Sequence, residues 1–318
     1  MIYYFIFFIV IYQLLLLLYY FLRFIYRHFL LKEKNLIKRY GNSYVIITGP
    51  SSGQGYHFAK EFAKRGFNLI LIGSIRTKKV IKEIKNINDV DILFIEKDFR
   101  NAIEPHFFNN IKKTIDSING NISFLVNNVA YRSAWLPYHS MPSKLINDTI
   151  VVGTIVQSQL TKLVIPYFLK REYKNAIINI TAQCIMPTYG FGEILNNEVS
   201  VPFLSVYEGA NAFGFYHSNS IEKEYRNTNI DILNVMPGAV LTENTSFLKN
   251  IIFNVEVDKF VKNIMKSIGN INGQCYGYWG HEFSIFLTNL VPFIKNPVLF
   301  DTGKKIALSY MAAPKKNY

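Results

Sequence analysis

Apolar and polar positions follow two rhythms along this chain. Short runs rich in β-branched residues at 44–47, 68–72, 91–96, 122–126 and 176–180 predict strands. Between them, helical spacing covers about 55–65, 78–85 and 107–118. Strand alternating with helix predicts an α/β fold with a doubly wound parallel sheet, whose ligands bind at the carboxyl ends of the strands. Thr48, Asp98 and Asn127 all fall at such ends.

The first twenty-two residues break this rhythm. They carry no charge, and Gln13 is their one strongly polar side chain. As a helix they span about 33 Å, enough to cross a hydrocarbon core. A secretory signal peptide predicts a basic start and a small-residue cleavage site, whereas this segment holds Leu, Tyr and Phe, so an uncleaved anchor is favoured. Arg23, Arg27, Lys32, Lys34, Lys38 and Arg39 follow, against Glu33 alone. Such flanking charge is retained on the cytoplasmic side and can sit against anionic headgroups, so the folded domain is expected to face the cytosol. Near the other end, residues 283–300 are apolar but interrupted by Pro292, Lys295 and Pro297. They read either as an interfacial or re-entrant segment or as a capping element packed on the core. The expected organisation is an anchor with its basic flank at 1–31, a Rossmann-type domain at 40–280 and a membrane-associated segment at 281–318.

With 318 residues, half of them hydrophobic, the chain can bury one full-sized core. The net charge of +13 is spread along the sequence and accompanies no nucleic-acid motif. A membrane-surface role or a plain lysine bias accounts for it better than nucleic acid does. Cys184 and Cys275 make neither a disulfide framework nor a metal pattern with the six histidines, which fits two buried thiols in a reducing compartment.

The candidate chemistry begins at residues 45–55, Val-Ile-Ile-Thr-Gly-Pro-Ser-Ser-Gly-Gln-Gly. A glycine turn between strand and helix lets backbone approach a pyrophosphate, and the helix N-terminus presents N–H groups to it. Thr48, Gly49, Ser51, Ser52, Gly53 and Gly55 are the residues concerned; alone, the turn is also compatible with a tight β-α connection that binds nothing. After the second strand, Gly73-Ser74-Ile75-Arg76 offers no acid for a ribose, while Arg76, Lys78 and Lys79 suit the 2′-phosphate of NADP(H).

Taken in order, Thr48 to Gly55, Asp98, Asn127-Asn128-Val129-Ala130, Leu160-Thr161-Lys162-Leu163-Val164-Ile165-Pro166 and Pro237-Gly238 with Thr242 resemble the short-chain dehydrogenases/reductases over about residues 40–280. Within that superfamily the chain is most similar to membrane-bound very-long-chain 3-oxoacyl-CoA reductases and their 17β-hydroxysteroid dehydrogenase branch. The resemblance implies that Asp98 contacts adenine and that Pro237, Gly238 and Thr242 lie beside the nicotinamide. It also implies a lipid or acyl-CoA substrate, pairing into a homodimer and elongation-complex partners. Lys315 and Lys316, fourth and third from the terminus, resemble an endoplasmic-reticulum retrieval signal.

The family's catalytic group is a tyrosine with a serine, a lysine and an asparagine. Here Tyr207 keeps the tyrosine, but Ala182 falls at the serine, Asn211 at the lysine and Gly153 at the asparagine. Thr181 is one residue early and should face away; Cys184 is a weak donor. Gln54 stands where the family has an apolar residue, and Tyr56 with Lys60 repeats the Tyr-x-x-x-Lys spacing on the wrong helix. A tyrosine's ordinary pKa of about 10 keeps a donor available near neutrality, while losing one oxyanion donor typically slows a reaction about 10²- to 10³-fold. Two functions follow: an NADP(H)-dependent reductase of a lipid ketone using Tyr207, or a pseudoenzyme that keeps the fold to hold nucleotide or membrane partners.

Overall fold

The computed structural model describes residues 2–131, 135–183, 202–243, 245, 246, 249, 252–290, 304, 305 and 308. Cys184, the dilysine pair and most of 283–300 lie outside them. Helix α1 (Ile2–Ile25) runs through a π-helical turn, Tyr26–Leu30, into a short α2 (Leu36–Tyr40). The domain then proceeds as β1 (Tyr44–Thr48), α3 (Gly53–Lys64), β2 (Asn68–Gly73), α4 (Thr77–Lys85), β3 (Ile92–Glu96), α5 (Asn109–Ser117) and β4 (Ile122–Asn127). Its second half holds α6 (Ser143–Ile150), a π-helical segment Val151–Ile155, α7 (Val156–Leu169), β5 (Asn175–Ile180), α8 (Ser205–Glu224) and β6 (Ile230–Val235). A small ladder, β7 (Val240–Leu241) and β8 (Val255–Glu256), precedes α9 (Val257–Ser267), β9 (Gly273–Cys275) and α10 (Trp279–Leu290).

The main sheet has seven parallel strands in the order β3-β2-β1-β4-β5-β6-β9. Both faces are covered, which is why its strands read as nearly continuous apolar runs. Alternation splits them cleanly. Val45, Leu69, Phe124, Ile178 and Leu233 enter the core beneath α3 and α9, while Ile46, Ile70, Leu125, Ile177 and Ile232 enter the opposite one with α5 and α7. Strand order reverses between β1 and β4, so the crevice above that pair is the switch point where ligands bind.

The predicted doubly wound sheet is therefore present, with the five expected strands in place; β6 and β9 extend it. Among the described residues, two helices have the length and composition of a membrane span. The apolar stretch of Tyr3–Leu30 is 0% buried, whereas that of Ser143–Leu169 is 44% buried and belongs to the core. The basic flank is less free than its charge suggested. Arg39 and Tyr40 both bond Asp231 at 2.8 Å, and Lys34 Nζ donates to the Gly269 carbonyl at 2.6 Å. Both basic side chains bond the domain while Lys34 stays exposed.

Candidate active site

Thr48, the last residue of β1, is fully buried and organises the switch point. Its hydroxyl donates to the Val126 carbonyl at 3.2 Å and accepts from the backbone N–H of Asn128 at 2.9 Å and Val129 at 3.0 Å. The Asn128 amide returns a bond to the Thr48 carbonyl at 2.9 Å. One threonine thus locks the glycine turn to the end of β4.

Gly49 and Gly53 take φ of +66° and +55°, a region L side chains rarely adopt. A Cβ on Gly55 would lie 2.5 Å from Asn128 Nδ2, so α3 approaches the turn too closely for any side chain there. The N-terminus of α3 has no side-chain cap, which leaves its first N–H groups for a ligand. Ser51 and Ser52 flank it, half-buried. Thr242 reaches the same place, its methyl 3.5 Å from where a Gly53 Cβ would be, and is fixed by Thr245 through bonds of 2.9 and 2.8 Å. These donors and this close backbone fit a dinucleotide pyrophosphate. Arg76 is exposed at the N-cap of α4, beyond β2. Asp98 caps a short 3₁₀ turn after β3 and pairs with Arg100, whose guanidinium holds the carboxylate below its usual range.

Asn127 is tied into a buried polar layer. It is buried at the end of β4, and its amide donates to Asn179 Oδ1 at 2.8 Å and Thr161 Oγ1 at 3.2 Å. Asn127, Asn179 and Asn234 face one another in register across β4, β5 and β6. Asn179 passes the chain to Ser218 on α8 at 2.9 Å, and Gln157 on α7 reaches His217 at 3.2 Å. Burial lowers the His217 pKa, and its ring stacks on Phe213 at 5.3 Å. This polar layer was missed from sequence. Its signal was alternation: Asn175, Ile177, Asn179 and Thr181 share one strand face, and Gln157 lies one helical turn after Gly153.

Above the layer is a cavity of about 30 Å³, room for a water or two. Tyr207, Asn211, Gly153, Asn127 and Tyr131 all line it. Tyr207, Asn211, Gly153 and Asn127, all singled out from the sequence, therefore share one cavity. Gly153 belongs to the π-helical segment, and a Cβ there would lie 2.9 Å from that of Ala210, so α8 is packed against it without space for a larger residue. The Asn211 amide turns back to donate to the Tyr207 carbonyl at 2.8 Å. Among the described lining residues there is no Lys, Arg, His, Asp or Glu.

Thr181 lines the cavity, but its hydroxyl donates to Asn234 Oδ1 at 3.0 Å and the Val235 carbonyl at 3.2 Å. Ala182 is buried beside it. Neither supplies the serine's hydroxyl. Pro237 and Gly238 follow β6, where the Gln183 N–H donates to the Pro237 carbonyl at 2.9 Å. Against Gly238 packs His281, whose burial pushes its pKa down to about 4. Tyr56 and Lys60 form only a cation–π pair at 6.0 Å on α3.

A parallel sheet with an uncapped glycine turn at its switch point and a tyrosine on the adjoining cavity defines a dinucleotide-binding α/β architecture. The short chain dehydrogenase family model matches residues 43–250, and the chain belongs to that family. It is 26% identical over 280 residues to the very-long-chain 3-oxoacyl-CoA reductase of Homo sapiens, covering 86% of this chain and 84% of that protein. It is 27% identical over 271 residues to hydroxysteroid dehydrogenase-like protein 1 of Gallus gallus, covering 83% and 76%. A short-chain dehydrogenase from Sphingobium yanoikuyae, solved in complex with NADPH, shares the fold with a TM-score of 0.61 and 20% identity, over 87% of this chain and 98% of that one. The family read from the motifs is borne out, and the very-long-chain reductases it was compared with are among the proteins the chain is similar to.

Proposed function

We propose that this chain is an NADP(H)-dependent reductase of a 3-oxoacyl-CoA or related lipid ketone, held in the endoplasmic-reticulum membrane with its domain in the cytosol. The observation that carries the reading is Tyr207 on the cavity beside the dinucleotide crevice. The activity for which the relatives are named supports the acyl-CoA class, and the NADPH in the similar bacterial structure supports the cofactor. Arg76 would hold a 2′-phosphate, the α3 N-terminus the pyrophosphate, and Pro237, Gly238 and Thr242 the nicotinamide side. Helix α1, the basic residues after it and the terminal lysines support the location. Exposed Phe213 and Tyr216 on α8 and Leu169 on α7 support pairing of two copies.

When bound, NADPH supplies hydride to the carbonyl carbon. The chain's part is the proton: the Tyr207 O–H donates it to the carbonyl oxygen as charge develops there. With Thr181 committed to β6, Tyr207 acts without the family's second donor. With Asn211 in place of the family's lysine, no positively charged side chain stands on the described lining to steady the phenolate left behind. The reaction is slow rather than excluded.

The Asn211 amide favours a second reading, a nucleotide-holding protein without turnover. The purified full chain, given NADPH and a long 3-oxoacyl-CoA, distinguishes the two. Binding with turnover supports the reductase; binding alone supports the second reading; neither overturns both.

A further inference from the structure

The segment between the apolar helix and the domain is docked along its length. Glu33 pairs with Arg65, the Asn270 amide donates to the Lys32 carbonyl at 2.9 Å, and Lys34, Arg39 and Tyr40 are bonded as described above. At its start, His28 bonds Glu282 on α10 at 2.7 Å, Arg27 lies 3.9 Å from the same carboxylate, and the rings of Phe24 and Phe283 meet at 6.4 Å. Helix α10 is therefore fixed to the end of α1.

That contact sets a depth. The uncharged part of α1 already fills a hydrocarbon core, and the turns from Phe24 to Leu30 add about 10 Å, enough to cross a headgroup layer of about 5–8 Å. Whatever touches Phe24 and His28 lies in that layer. Helix α10 does so, and it presents Phe286 (40% exposed) and Leu287 (42%). Phe253 joins them through Trp279 at 5.6 Å and Phe283 at 5.8 Å, next to Ile252, which is 78% exposed. Phe29 and Leu30, 59% and 62% exposed, complete an aromatic and aliphatic face with the half-buried Arg23 at the end of α1.

We propose that this face, built from the end of α1, α10 and residues 252–253, is seated in the interfacial layer of an anionic bilayer, so that the domain is mounted rigidly instead of hanging on a tether. Aromatic side chains favour that layer and basic ones favour its charge. The same helix reaches the active site. Gln183, next to Ala182, donates to Ser284 Oγ at 2.7 Å and the His281 carbonyl at 2.9 Å. A ketone on a membrane-dissolved acyl chain thus meets the site from the lipid side.

The inference rests on the membrane reading of α1, and one experiment separates the two. The chain has two tryptophans, Trp135 buried in the domain and Trp279 on the proposed face. Full-length protein bearing Trp135→Phe is reconstituted in phosphatidylcholine–phosphatidylserine vesicles whose acyl chains are brominated near the headgroup. The expected result is retention after an alkaline wash with most Trp279 emission quenched. A Trp279→Phe chain, reporting Trp135, should stay bright, and Phe286→Asp with Leu287→Asp should reduce quenching severalfold at unchanged retention and circular dichroism. Retention without Trp279 quenching overturns the seated face and leaves the anchor; loss of retention overturns the anchor and the face with it.

Discussion

Asn127 and Asn179 stand opposite each other in register on β4 and β5, joined by a 2.8 Å hydrogen bond from the Asn127 amide to Asn179 Oδ1 beneath the cavity that Tyr207 lines. The pair turns two strand ends into a polar floor, continued to Ser218 on α8. Buried amides of this kind stabilise only while every partner is present.

Asn179→Ala removes the acceptor for Asn127 and the donor to Ser218 together. Stranding buried partners costs about 2 kcal/mol, a fall of roughly 4–8 °C in melting midpoint for a domain of this size. Thermal unfolding of the detergent-solubilised chain followed by circular dichroism measures it.

Gly153→Asn restores the family's residue type but places a Cβ 2.9 Å from that of Ala210. Overpacking of this sort destabilises by about 1–3 kcal/mol. Adding Ala210→Gly should recover most of the loss in the same unfolding assay.

Gly55→Ala drives a methyl against Asn128 and the Gly49 carbonyl, forcing the turn away from α3. NADPH affinity, read by fluorescence titration, should fall by about tenfold or more, equivalent to at least about 1.4 kcal/mol.

His281 is depressed to about 4 by burial, against about 6.5 in an unfolded chain. The unfolded state therefore takes up a proton first as pH falls. The stability contributed by the neutral ring is complete above pH 6.5 and is lost towards pH 4, up to about 3 kcal/mol. Carboxylates held low, such as Glu61 beside Arg65 and Lys64, lose stability in the same direction. The difference between wild type and His281→Gln across that window isolates the histidine: the variant's melting midpoint should fall less steeply on acidification.

Much of the fold was legible because parallel strands buried on both faces leave unbroken apolar runs, as at Val45 to Ile47 and Leu69 to Ile72. The glycine turn was legible because its backbone conformation excludes other residues. Less legible was the polar floor, since Asn179 and Gln157 resemble any polar residue until β5 and α8 bring them together. Nor could sequence disclose that Thr181 bonds across to β6, or that Asn211 folds back on Tyr207, because both depend on where a strand ends and a helix starts. The basic flank held contacts that its charge alone did not announce. Lys34 and Arg39 read as headgroup charges, yet their partners, Gly269 and Asp231, lie about two hundred residues along the chain.

The central claim is that Tyr207 still donates a proton. Its most direct test is the rate of NADPH oxidation by the full chain with a long 3-oxoacyl-CoA, compared among wild type, Tyr207→Phe and Asn211→Lys. Removing a general acid lowers rate by about 10² or more, so Tyr207→Phe should abolish a slow wild-type turnover while NADPH still binds. In Asn211→Lys a cation beside the phenol favours phenolate, so the rate should rise and its alkaline limb should move down by about 1–3 pH units. Turnover that survives Tyr207→Phe, or a wild type that binds NADPH and turns nothing over, would contradict the account.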